Sequence, residues 1–67
     1  MIIKKTHRTV RLADMIEKSS LPVYIILDDR KIELTENRSL LNLFRKYWKL
    51  EDVTEVTLET ENKELLL

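Results

Sequence analysis

The chain has no glycine, no cysteine, a single proline and only 6% aromatic residues among its 67 positions. Average glycine usage is about 7%, and its loss excludes every glycine-dependent phosphate loop, the dinucleotide fingerprint and the P-loop included. Without cysteine there are neither disulfides nor thiolate metal ligands to staple a small fold, so close packing or self-association must hold it. No apolar run approaches the roughly 20 residues that span a bilayer, and the apolar part of Met1-Ile2-Ile3-Lys4-Lys5 is too short for a signal peptide. The expectation is a soluble cytoplasmic protein with no membrane segment, no metal and no cofactor. Residues 1–67 leave room for one domain, and a domain this small buries only roughly 60% of the surface of its unfolded chain.

Charge of either sign is plentiful and balanced, with 12 Lys and Arg against 12 Asp and Glu, but it is unevenly placed. Lys4, Lys5, Arg8 and Arg11 make the first segment basic, whereas Glu51, Asp52, Glu55, Glu59, Glu61 and Glu64 make the last one acidic. Such asymmetry suits a partner surface or head-to-tail self-contact. The simpler reading, which the usual weakness of surface pairs favours, is solvated faces of a sheet edge and a helix end.

Ile2 to Thr6 reads as a short strand whose lysines belong at a sheet edge. Thr6 or Thr9 can cap the next element, and Leu12, Ala13, Met15, Ile16 and Ser19 recur at helical spacing, which predicts a helix from about Thr9 to Ser19. Pro22 closes it. Val23 to Leu27 is an unbroken β-branched and aromatic run suited to an inner strand, Asp28-Asp29 supplies a turn, and Lys31 to Leu34 alternates as the second arm of a hairpin. Leu40, Leu43, Phe44, Tyr47 and Trp48, widened by Leu41, form the strongest periodic stripe in the chain, with Thr35, Asn37 and Ser39 as possible caps and Arg45, Lys46 and Lys49 on the opposite face. Val53 to Thr60 alternates as a last strand with Val56 and Leu58 facing inward. Lys63 to Leu67 has the start of a further helix and an exposed-looking Leu65-Leu66-Leu67 tail.

The order β-α-β-β-α-β fits two sheet arrangements. A ferredoxin-like sheet would place the first strand centrally and the second at an edge. Here the second strand is the most apolar and the first the least, which favours the first at an edge and the second inside. That placement is the one found in the histidine-containing phosphocarrier HPr, and the chain resembles that family over about residues 8 to 64. Leu12 to Lys18, the hairpin Val23 to Leu34, Arg38-Ser39-Leu40-Leu41-Asn42-Leu43-Phe44 and Glu55-Val56-Thr57-Leu58 look like the corresponding segments. Arg38-Ser39-Leu40-Leu41 is similar to the Lys-Ser-Ile-Met that opens the family's second helix. The resemblance implies an α+β, HPr-like open-faced β-sandwich: a four-stranded antiparallel sheet with helices on one side and the third helix mostly missing. It also implies that Ser39 occupies the place of a serine that is a regulatory phosphorylation site in Gram-positive members.

The family carries its phosphoryl group on a histidine in a Gly-Leu-His-Ala-Arg-Pro-Ala segment, where helix N-terminal N–H groups and an arginine stabilise the anion. This chain instead reads Lys4-Lys5-Thr6-His7-Arg8-Thr9-Val10, without glycine or proline, and aligns Lys5 with the histidine. His7 falls two residues late. No catalytic residue is therefore assigned. His7 is the one candidate, because an imidazole beside Arg8 or Arg11 has suitable nucleophilic or acid–base chemistry.

The sequence thus points to a non-catalytic, HPr-like interaction or regulatory module of the bacterial cytoplasm with a protein partner, which can be a second copy of itself. In the HPr family the face around the start of both helices docks partners, and the resemblance implies a binding surface here of His7, Arg8, Arg11, Ser39 and an exposed Arg45 and Lys46. The alternatives are a divergent phosphocarrier of a sugar phosphotransferase system using His7, a small homodimeric structural module, and a nucleic-acid-binding protein. Arg45-Lys46-Tyr47-Trp48-Lys49 interleaves basic and aromatic residues as nucleic-acid surfaces do, but Tyr47 and Trp48 continue the core stripe and the net charge is zero, which argues against a nucleic-acid partner. Asp28 and Asp29 have no third ligand beside them and read as turn residues rather than metal ligands.

Overall fold

The computed structural model describes residues 1–65. Its elements run β1 (Ile2–Lys4), α1 (Leu12–Glu17), β2 (Val23–Leu27), β3 (Arg30–Glu33), α2 (Arg38–Trp48) and β4 (Glu55–Thr60), closed by a 3-10 turn at Lys63–Leu65. The strands form one antiparallel sheet in the order β1-β4-β2-β3. The least apolar strand is at an edge and the most apolar one inside, as strand composition leads one to expect.

Register follows from alternation. Ile3 faces Val56, and Ile25 is flanked by Leu58 and Ile32, so one face of the sheet is apolar. Leu12, Ala13 and Ile16 of α1 and Leu41, Phe44 and Trp48 of α2 share a single buried cluster with that face. The other face is open and mixes Ile2 and Ile26 with charged residues: Lys4 stands opposite Glu55, Lys31 reaches Glu59 at 3.3 Å, and its ammonium sits 4.5 Å from the centre of the Tyr24 ring. The basic start and the acidic end of the chain therefore meet within this sheet.

The hairpin closes through Asp28 and Asp29, both at positive φ (48° and 63°). Two consecutive left-handed residues match the right-handed twist of the flanking strands, and Asp tolerates this geometry better than most side chains.

The first helix is shorter than its apolar spacing suggests. It starts at Leu12 rather than Thr9, and neither Thr6 nor Thr9 caps it: Arg11 is the N-cap residue and offers no side-chain hydrogen bond. The Thr9 hydroxyl is used elsewhere, donating to the Lys4 carbonyl at 2.6 Å and accepting from the Thr6 N–H at 2.7 Å, which holds residues 6–11 as a turn. The second helix starts at Arg38 because Asn37 caps it, its side chain accepting from the Leu40 N–H at 3.0 Å. Ser39 is inside the first turn. The last strand starts at Glu55, two residues after Val53, which is held in a turn by its N–H to the Leu50 carbonyl.

The chain's end also differs from expectation. Leu65 is not an exposed tail residue but 2% exposed within the core cluster. Asn62, itself buried, seats it by donating to the Ser19 hydroxyl at 2.6 Å and accepting from the Glu64 N–H at 3.0 Å. Leu66 and Leu67 lie outside the described residues.

Candidate functional site

The basic turn between β1 and α1 is built on a buried knot. Thr9 is 4% exposed, and its carbonyl accepts both the Leu12 N–H at 3.0 Å and the indole N–H of Trp48 at 2.8 Å. Trp48 stacks on Phe44 with ring centres 5.9 Å apart, so the last turn of α2 is a fixed wall behind the loop. Lys5 completes the arrangement. Its ammonium donates to the Leu50 carbonyl at 2.8 Å, just beyond the C-terminus of α2, and sits 5.1 Å from the centre of a Trp48 ring. A cation there meets the negative end of the helix dipole and the face of an indole together.

On this base His7, Arg8 and Arg11 are all exposed. A cleft of ≈380 Å³ beside Trp48 carries Arg11, Arg45 and Lys49 on its walls, with Asp14 as the carboxylate among them. Arg8 lines a separate cleft with Lys4 and Glu55, and His7 lines neither. His7 has no hydrogen-bonding side-chain partner among the described residues, so nothing orients the ring for attack or proton transfer. No group of three or more His, Cys, Asp or Glu side chains among the described residues is arranged to hold a metal ion.

The six residues expected to form one surface do not all come together. The helices run antiparallel: Trp48 at the end of α2 meets Thr9 ahead of α1, and Arg38 at the start of α2 reaches Glu17 at the end of α1 at 4.0 Å. The starts of the two helices are therefore at opposite ends of the helical layer. Ser39 belongs with Arg38 and Glu17, away from His7, Arg8 and Arg11. Arg45 is not a free surface cation either. It is only part-exposed and donates to Asp14 at 3.0 Å, to Glu17 at 3.3 Å and to Asn42 at 3.0 Å, tying the two helices together. Lys46 is exposed on α2 as expected.

Sequence reasoning missed the residues that shape the site. Thr9 was legible only as a possible cap, and Trp48 only as core. The extra signal was a polar handle on each: a buried indole requires an acceptor for its N–H, and a carbonyl freed by a turn is one of the few available. None of the described helices is long and apolar enough to cross a membrane. Comparison of the chain with protein-family models, with curated proteins and with solved structures finds no match.

Proposed function

We propose that this chain is a non-catalytic, HPr-like docking module that binds an acidic face of a protein partner through its basic turn. The observation that carries the reading is the turn at 6–11. Its backbone is pinned by Thr9, Trp48 and Lys5, while Arg8 and Arg11 project from it exposed, with Lys49 beside Arg11 on the neighbouring cleft. A rigid base under exposed cations lowers the ordering cost of association and favours steering of an oppositely charged surface. The HPr-like part of the reading is supported by the order β1-β4-β2-β3 with helices packed on one face, together with the segment resemblances around Leu12, Val23 and Arg38. Soluble, cytoplasmic action is part of the same proposal.

Among the described residues no side chain hydrogen-bonds the His7 ring, which favours docking over phosphoryl transfer. The two readings separate in an intact-mass assay after incubation with phosphoenolpyruvate and the general phosphotransfer enzyme of a bacterial sugar-uptake system. No added phosphoryl group on the folded protein is expected. One acid-labile group lost with His7→Ala would replace the docking reading with that of a divergent carrier.

A further inference from the structure

We propose that β3 is a dimerisation edge, and that a second copy of this chain pairs with it antiparallel about a two-fold axis at Ile32. The surface is on the opposite side of the sheet from β1 and does not depend on the basic turn. β3 is the last strand of the sheet, so one side of its backbone is unpaired among the described residues. The Leu34 N–H bonds to the Val23 carbonyl, and hydrogen-bonded pairs alternate along an antiparallel ladder. Ile25–Ile32 and Leu27–Arg30 are then hydrogen-bonded pairs, whereas the N–H and C=O of Lys31 and Glu33 point away from the sheet.

Only those two residues can exchange main-chain hydrogen bonds with a new strand, which leaves three symmetric registers. Placing Lys31 against Lys31, or Glu33 against Glu33, sets like charges directly opposite and is disfavoured. The remaining register sets Lys31 against Glu33 of the second copy, and Glu33 against its Lys31. Both pairs join unlike charges, and the two Ile32 side chains meet on the axis. Within one copy Lys31 bridges Glu59 at 3.3 Å and Glu33 accepts from the Thr35 hydroxyl at 2.8 Å, so the new pairs share or exchange these contacts. The charges that would guard this edge against a foreign strand are complementary to themselves.

The helical side of the same edge supports the second copy as occupant. The stripe of α2 is shared: Leu41 and Trp48 face the core, Leu43 and Tyr47 line a ≈250 Å³ groove with Leu27 of the hairpin, and Phe44, Leu40 and Ile32 reach both. Leu43 is 61% exposed and Leu27 45% exposed. An axis through Ile32, perpendicular to the sheet, places the two grooves side by side, flanked by the two α2 helices, and covers this apolar surface with its own equivalent.

Sedimentation equilibrium from micromolar to millimolar concentration tests the proposal, with far-UV circular dichroism to verify folding. The wild-type chain is expected to approach twice its 8.1 kDa monomer mass. K31E and E33K should each weaken association by about tenfold or more, and K31E/E33K together should restore it. A wild-type protein that stays monomeric throughout overturns the proposal and leaves the groove to a different protein. A dimer indifferent to both single substitutions overturns it as well.

Discussion

The indole N–H of Trp48 donates a 2.8 Å hydrogen bond to the carbonyl of Thr9, joining the end of the second helix to the turn before the first across 39 residues of sequence. The contact is buried and links packing to the candidate site directly. Trp48→Phe preserves most of the apolar stacking on Phe44 and removes the donor. It is expected to lower the unfolding free energy by about 1–3 kcal/mol, the range for an altered buried hydrogen bond together with lost packing. Urea denaturation measures the loss, and amide exchange should rise at residues 6–12 more than in the sheet.

Thr9→Val tests the other half of the knot. The substitution keeps the shape but leaves the Lys4 carbonyl and the Thr6 N–H without the hydroxyl they share. A destabilisation of about 1–3 kcal/mol is expected. Thr6→Ala is the contrast, because Thr6 is exposed and its hydroxyl accepts only a 3.2 Å bond from the Arg8 N–H besides the longer contact with Thr9.

The start of α2 separates two neighbouring residues that the sequence leaves equivalent. Asn37→Ala should cost about 0.5–2 kcal/mol by removing the cap, whereas Ser39→Ala should stay within about 0.5 kcal/mol. Thermal or urea unfolding of the pair distinguishes them.

How much was legible in the sequence depends on the range of the interaction. The hairpin was readable because its evidence is local: an apolar run, two aspartates at the turn, then alternation. The second helix was readable for the same reason. Thr9 was not, because its role is set by Lys4 and Trp48, which only the folded chain brings to it. The surface that the resemblance implied does not hold together at Ser39, because short matching segments do not fix the direction in which one helix crosses its neighbour. Arg45 illustrates the same limit: on a helical wheel it falls with Lys46 and Lys49, and only the packing of α1 beside α2 turns it towards Asp14 and Glu17. Which members of the α2 stripe face the core and which line the groove was likewise invisible, since periodicity places them all on one broad face.

At the hairpin turn, Asp29→Gly should stabilise. A left-handed residue bearing a Cβ costs roughly 1–2 kcal/mol, less for Asp, while glycine returns about 0.5–1 kcal/mol as backbone entropy. The net expectation at this position, with φ at 63°, is a gain of at most about 1 kcal/mol. A rise in the urea midpoint with an unchanged slope would show it.

The docking claim is tested most directly by using the wild-type chain and R8E/R11E side by side as baits in bacterial extract, with quantitative mass spectrometry of the proteins each retains at low and at raised salt. Both arginines are exposed, so the variant is expected to remain folded, which circular dichroism checks. The expected result is a discrete protein held by the wild type at low salt, released at raised salt and lost with R8E/R11E. Retention of the same proteins by both baits, at both salt concentrations, would contradict a docking role for the basic turn.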